Sequence, residues 1–305
     1  MASISVHGQG VLVTGCSSGI GRATALHLAQ AGFTVFATVR READAEALRG
    51  LGEAGLVPVC PLDLSRPEQI APAAEQVAGE LRRRGQRGLY AVVNNAGGGV
   101  TAPIELMDPD VLRGELETRI SGPVALLQAC LPLLREAGGR IVWITTPALL
   151  PIPFVASIHV PDFAVNCLVR TLNMELSGWG IPAIMVRCGT IATASPERTA
   201  RQLAGAMATW PAARLDLYRS ALEALQAELG GFDEGRTPPE EVARVVCRAL
   251  TSARPRLRYR VGHLAGLAAT MELLPQPVVD AIMARRSKGG ARAKTPPPME
   301  RAAGR

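Results

Sequence analysis

Lysine is nearly missing from this chain: of its 305 residues only Lys288 and Lys294 are lysines, and both lie near the C-terminus. Tyrosine is almost as sparse, and Tyr90, Tyr218 and Tyr259 leave a long central stretch without a phenol. Chemistry that needs an ammonium group in the body of the chain, or a phenol in that stretch, therefore has no residue to carry it. No apolar run is long enough to span a bilayer, and the N-terminus lacks the charged, apolar and cleavage regions of a secretory signal. The six cysteines, at positions 16, 60, 130, 167, 188 and 247, fall at no metal-ligand spacing and mostly in apolar contexts. They read as buried, reduced thiols of a cytoplasmic protein, and no metal site is expected.

The net charge of +6 is concentrated at one end. Residues 287–305 hold five basic residues and one acidic, so the preceding body carries only +2. That basic tail, with three consecutive prolines, has the composition of a disordered segment. The body shows no concentrated basic face apart from Arg82-Arg83-Arg84, so a nucleic-acid partner is not expected. A hydrophobic content of 48% over this length supports one large sheet-and-helix core, and no internal repeat argues for a second domain.

What is present is informative from Gly10 onward. Gly10-Val-Leu-Val-Thr-Gly-Cys-Ser-Ser-Gly-Ile-Gly-Arg22 is a short apolar run that breaks into glycines and then into a helical pattern. Gly15 and Gly19 permit a tight turn, and Gly21 lets the helix lie close to the strand. A pyrophosphate against Gly15, Ser17, Ser18, Gly19, Ile20 and Gly21 would meet unpaired N–H groups and the positive end of the helix dipole. Strand and helix then alternate through the first 190 residues. The expected fold is α/β: a single Rossmann-like, doubly wound parallel sheet with helices on both faces.

Further motifs follow in order: Leu62-Asp63-Leu64, Asn94-Asn95-Ala96-Gly97, Gly139-Arg-Ile-Val142, Phe163-Ala-Val165, Glu175-Leu176, Gly180-Ile181, Val186-Arg-Cys-Gly189 and Arg258-Tyr-Arg-Val-Gly262. Together with Thr14-Gly15-x-x-x-Gly19-Ile20-Gly21, this series resembles the short-chain dehydrogenase/reductase family over roughly residues 8 to 286. The resemblance implies a dinucleotide-dependent oxidoreductase domain over 1–286, with Asp63 at the adenine and Asn95, Ala96 and Gly97 beside the cofactor. At the end of the second strand, where an acidic residue would hold an adenosine ribose, the chain reads Thr38-Val-Arg40-Arg41. The two forked cations favour NADP(H) over NAD(H), although Arg41 could equally open a solvated helix with Glu42 and Asp44.

The chain departs from the family at its catalytic positions. Aligned without a gap, the family's tyrosine falls on Ile158 and its lysine on Asp162, its asparagine on Arg119, and its serine on Thr145 or Thr146. Ile158 has no proton to give, and Asp162 puts negative charge where a positive one belonged. Arg119 and Asp162 are expected to neutralise each other as an ion pair, the alternative being that each reaches solvent. His159 is a replacement acid by chemistry, but on a helix it points about 100° away from Ile158. If Pro161 takes the first helical position, residues 157 to 160 form a loop and His159 can turn inward. Thr145, Thr146, His159, Asp162 and Arg119 are therefore the catalytic candidates.

Residues 194–230 form two amphipathic helices broken at Trp210-Pro211, where the family carries its substrate lid. Their apolar residues Leu203, Met207, Trp210, Leu215, Tyr218 and Leu222 fit an apolar small-molecule ligand, the core, or a second subunit of a homo-oligomer. Beyond them the pattern predicts a helix over Pro238 to Leu250, a strand over Leu257 to Val261 and a helical segment over Met271 to Arg285. Three functions fit: an NADP(H)-dependent oxidoreductase of an apolar molecule with an atypical site, a non-redox enzyme such as an isomerase, lyase or cyclase, or a silent cofactor-binding protein.

Overall fold

The computed structural model describes residues 7–230 and 235–288; most of the basic tail lies outside the described residues. Seven parallel strands form one sheet in the order β3-β2-β1-β4-β5-β6-β7. They are β1 (Gly10–Val13), β2 (Thr34–Thr38), β3 (Leu56–Val59), β4 (Leu89–Asn94), β5 (Arg140–Thr145), β6 (Ala183–Cys188) and β7 (Arg258–Val261). β1, β2, β4 and β6 are buried at every position, as apolar runs covered on both faces must be.

Helices supply that cover. On one face α1 (Gly19–Gln30), α2 (Glu42–Arg49) and α9 (Pro239–Thr251) pack Leu28, Leu48, Val242 and Val246 against Val11, Val35 and Val186. On the other, α3 (Ile70–Arg83), α5 (Gly122–Ala137) and α6 (Ala156–Glu175) bring Leu81, Leu126, Leu134 and Val169 onto Leu12, Val92 and Met185. α4 (Pro109–Leu116) starts with Pro109 in the first turn and the Asp108 carboxylate accepting from Asp110 N, both favourable at a helix start. α7 (Ser195–Met207) and α8 (Ala212–Gly230) are the two helices expected on either side of Trp210-Pro211. No described helix is long and apolar enough to cross a membrane.

Three local expectations need correction. The single segment Met271 to Arg285 is instead α10 (Ala265–Met271) followed by α11 (Gln276–Lys288). Pro275 and Pro277 separate them, since proline has no N–H for a continuing helix but fits a helix start. The thiols are not all buried: α6 turns Cys167 outward, and Cys60 and Cys247 are half-buried. Burial does push the Cys130 and Cys188 thiols up to about 12, which keeps them protonated and inert. Third, the body has a second basic cluster besides Arg82 to Arg84, formed around β7 by Arg248, Arg254, Arg256, Arg258 and Arg260. The alternation of arginine with other residues hid it, because a strand and the turn before it gather residues that are spread out in sequence.

One buried ion pair fastens the C-terminal helices to the sheet. Arg187 of β6, 2% exposed, donates through Nη1 to both carboxylate oxygens of Glu272 at 2.7 Å. The same carboxylate accepts from Leu149 N at 2.5 Å. Glu272→Ala would leave the Arg187 guanidinium buried without its partner, and it should lower unfolding free energy by about 3 kcal/mol. Urea denaturation checks this; a loss within experimental error would show that the pair carries no such weight.

Candidate active site

The carboxyl ends of β1 and β4 part company at the switch in strand order, and a crevice opens there. Thr14 laces the two turns together. Its Oγ1 accepts from Asn95 N at 2.9 Å and Ala96 N at 3.0 Å, while Asn95 Nδ2 donates to Thr14 O at 2.9 Å. Gly15 has φ 72°, and an added Cβ would lie 3.0 Å from Ala96 Cα. A Cβ at Gly21 would come within 2.2 Å of Gly15 O, so only glycine lets α1 start this close to β1. Ser18 occupies the N-cap of α1 with extended backbone, yet its side chain caps nothing. The first N–H groups of that helix are thus left for an anion.

A cavity of about 770 Å³ lies in front of this turn, bounded by Ser17, Ser18, Arg40, Asp63, Arg66 and Arg198. Arg40 makes no ion pair among the described residues, whereas Arg41 forks onto Asp44 through Nε at 2.8 Å and Nη2 at 3.0 Å. Arg41 also borders the cavity, but the geometry matches the alternative reading of a helix-opening residue. Asp63 accepts from Ser65 N and Ser65 Oγ, a tight turn that delivers Arg66 to the rim. Sequence reasoning missed Arg66, although it follows Asp63 by three residues, and Arg198, which comes from α7 and carried no signal. Gly15, Gly19, Ile20, Gly21, Asn95, Ala96 and Gly97 do not border this cavity. Ile20 packs toward the core, Asn95 and Ala96 hold Thr14, and a Cβ on Gly97 would meet the Arg119 side chain at 3.2 Å.

The catalytic candidates meet at the other end of the crevice. α6 begins at Ala156 and runs through Pro161, so of the two alternatives residues 157 to 160 take the helical one and not the loop. Pro161 removes only the N–H that would have reached Ser157 O, which the first turns of a helix fastened on both sides can tolerate. Ser157 supplies one fastening, since its Oγ accepts from Val100 N at 2.9 Å and donates to Val100 O at 2.7 Å. Ile158 lies directly on Gly99, where an added Cβ would be 2.1 Å from Ile158 Cγ1.

Arg119 supplies the other fastening. It sits in a π-helical turn, Glu117–Ser121, joining α4 to α5. Its Nη1 donates to Ile158 O at 2.7 Å, and its Nη2 bonds Asp162 Oδ1. Asp162 is 2% exposed, and its other oxygen accepts from Thr146 N at 3.0 Å. The expected ion pair is therefore present, and its carboxylate is held on both sides. Thr145 Oγ1 donates to Thr146 O at 3.3 Å, and Thr146 Oγ1 makes only a 3.5 Å contact to Ala148 O. His159 is half-buried, and among the described residues its Nδ1 has no hydrogen-bond partner, although the Leu150 backbone acts on the ring. Burial holds its pKa below the ordinary histidine value; Asp162 opposes the shift and Arg119 reinforces it. Glu115, one helical turn before Arg119, was missed although the acid-to-arginine spacing of four was visible. Its Oε2 is buried without a partner, and burial raises its pKa against the pull of Arg119.

The three phenols are committed elsewhere: Tyr90 to Leu250 O, Tyr218 to Glu105 Oε2 and Tyr259 to Arg256 N. α7 and α8 bury Leu203, Leu215 and Leu222 against one another, with Phe154, Met207, Trp210 and Tyr218 packed on them.

Residues 9–204 match the short chain dehydrogenase family. The chain belongs to that family. Ovis aries 11-beta-hydroxysteroid dehydrogenase type 2 is 32% identical over 271 residues, covering 85% of this short-chain dehydrogenase and 62% of the sheep protein. The chain thus spans less than two thirds of that relative. Homo sapiens retinol dehydrogenase 5 is 30% identical over 283 residues, covering 90% of this chain and 87% of the human one. A short chain dehydrogenase from Burkholderia cenocepacia, solved in complex with NADP, shares the fold with a TM-score of 0.68 at 23% identity, over 92% of this chain and 99% of that one.

Two predictions follow from this geometry. Arg119→Ala and Asp162→Ala should each cost about 3 kcal/mol of stability, and the double variant should be milder than their sum by at least about 1 kcal/mol. A denaturation double-mutant cycle with strictly additive losses would remove the coupling. For His159 the sign runs one way: its folded pKa lies below the unfolded value of 6.5, so the unfolded chain takes the proton first. Stability is present above that value and declines as pH falls through it; His159→Asn should flatten that decline, measured by urea midpoints from pH 7 downward.

Proposed function

We propose that this short-chain dehydrogenase is an NADP(H)-dependent oxidoreductase of an apolar alcohol or ketone, working through an active site without the family's tyrosine and lysine. The observation that carries the cofactor reading is the cavity in front of α1, where Arg40, Arg66 and Arg198 surround the uncapped helix start. Arg40 sits just past the end of β2 in the place of the ribose-binding acid, and among the described residues its guanidinium forms no ion pair, although Asp44, itself forked by Arg41, lies within its field. When bound, the nicotinamide cofactor supplies or accepts hydride. Gly15 and Gly21 allow the backbone to approach a pyrophosphate, and Thr14 with Asn95 keeps the two turns of the crevice in register.

The substrate reading rests on two supports. Relatives named for hydroxysteroids and retinol match most of the chain, and Phe154, Trp210 and Tyr218 form an apolar seam between α7, α8 and the loop before α6. Phe154 has φ 67°, a strained conformation for a bulky residue, and its carbonyl is held by Ala102 N at 2.8 Å. With Ile158 at the phenol's position and Asp162 locked to Arg119, proton movement falls to water, Thr145, Thr146 or His159. General acid–base catalysis is worth about 10²–10⁴ in rate, so turnover of generic ketones should be slow by that order.

Titration with both cofactors tests the first half: NADP(H) should bind more tightly, and Arg40→Ala should abolish most of the preference. Equal affinities in the wild type would sink it. Assays with steroid and retinoid alcohols test the second half. Product formation without cofactor turnover would instead identify a non-redox enzyme on the same fold.

A further inference from the structure

The chain that enters α7 rests on the glycine turn in front of α1. An added Cβ on Gly19 would lie 3.3 Å from Thr193 Cγ2, and two residues later α7 begins at Ser195. Arg198, in the first turn of α7, borders the cavity of about 770 Å³ together with Ser17, Ser18, Arg40 and Arg66. Arg41, Asp44 and Asp63 border it too, so four arginines there meet two aspartates. Asp44 is forked by Arg41, and Asp63 accepts from Ser65. Arg198 is exposed, and among the described residues its side chain makes no ion pair or hydrogen bond.

The other side of α7 faces a different set of residues. Leu203 and Met207 lie roughly 140° and 180° around the helix from Arg198. They pack with Leu215, Leu222, Trp210, Tyr218 and Phe154 in a cluster separate from the two that cover the faces of the sheet. The helical pair is tied to the body through surface contacts, among them Tyr218 Oη to Glu105 Oε2 at 2.8 Å and Arg236 Nη1 to Glu197 Oε1 at 3.3 Å. Contacts of that kind contribute little each, and a unit that buries only its own small cluster opens more readily than the core.

Solvation explains an exposed arginine, but not one in this position. A cation in the first turn of a helix stands at the positive end of the helix dipole, and this one also stands among other cations around a single cavity. A phosphate offsets both costs, because its oxygens accept from several forked guanidinium groups at once.

We infer that Arg198 is a phosphate ligand of the cofactor supplied by the α7–α8 pair, so that filling the cavity fixes this pair and the apolar seam it forms with Phe154. The inference rests on the NADP(H) reading of the cavity, and it adds a coupling between the two sites. By linkage, a ligand that needs the seam in that position tightens cofactor binding by the factor by which the cofactor tightens its own. The phosphate is either the 2′-phosphate or the pyrophosphate of the dinucleotide.

The probe is 2′-phospho-ADP-ribose, which carries both kinds of phosphate and no nicotinamide, so its effect on α7 and α8 comes from the phosphate end. Calorimetry gives its affinity, and hydrogen exchange of the α7 and α8 amides gives the state of the pair, in the wild type, Arg198→Gln and Arg40→Ala. The wild type should bind it and gain at least about fivefold protection across the two helices. Arg198→Gln should bind at least about tenfold more weakly, the loss of a charge-assisted hydrogen bond, and at saturation should lack the added protection. Without ligand its exchange and thermal melting should match the wild type, because the side chain has no partner to lose. Arg40→Ala should bind more weakly yet gain the full protection once saturated. ADP-ribose assigns the group: if Arg198→Gln weakens both probes the ligand is the pyrophosphate, and if it weakens only the phosphorylated one, the 2′-phosphate. A wild type that binds neither probe would sink the cofactor reading and the inference with it. Binding weakened by Arg40→Ala but untouched by Arg198→Gln would leave that reading standing and overturn the inference. So would wild-type binding that adds no protection to α7 and α8, or protection that survives in Arg198→Gln.

Discussion

A sheet made only of parallel strands has no hairpins, and that constraint governs the rest of this molecule. Every strand must be reached by a crossover, every crossover here is helical or long, and the helices bury both faces of the sheet. Polar backbone at the carboxyl ends of the strands is then the part of the sheet left for chemistry. Where β1 and β4 lead their connections to opposite faces, the helices cannot close the gap. Thr14 holds the gap to a fixed width by bonding the two turns across it.

The same interior raises the stakes for any charge placed in it. Asp162 and Arg187 are both nearly inaccessible, and each is answered by an opposite charge and by further hydrogen bonding: Asp162 by Arg119 and Thr146 N, Arg187 by Glu272, which also takes Leu149 N. Such pairs add little net stability beyond what apolar packing would give, but they fix which elements lie together. Asp162 fixes α6 to the end of β5 and to the π-helical turn, and Glu272 fixes the end of α10 to β6.

Much of this was legible in the sequence. The glycine spacing, the buried apolar runs and the proline and aspartate at α4 each have a local physical cause, and local causes survive in one dimension. The Arg119–Asp162 contact was legible because both residues fell on positions already known to be neighbours in the family it resembles. What escaped reading was set by tertiary context. Pro161 left open whether the helix starts before it or at it, because its missing N–H fits a helix start in isolation; Ser157 and Arg119 bond the turn ahead of it, and that turn is helical. Arg198 enters the cavity in front of α1 from a helix far along the chain, and the arginines on and before β7 alternate with other residues in the sequence.

The shared carboxylate of Asp162 also constrains how this site could have changed over time. A lysine introduced at 162 while Arg119 is in place would set two cations side by side in a dry wall, and an asparagine introduced at 119 first would strand the aspartate. Neither single change leaves the wall neutral, because each leaves one buried charge without its opposite. The two positions therefore act as one unit of charge, and a change at either is best judged with its partner changed as well.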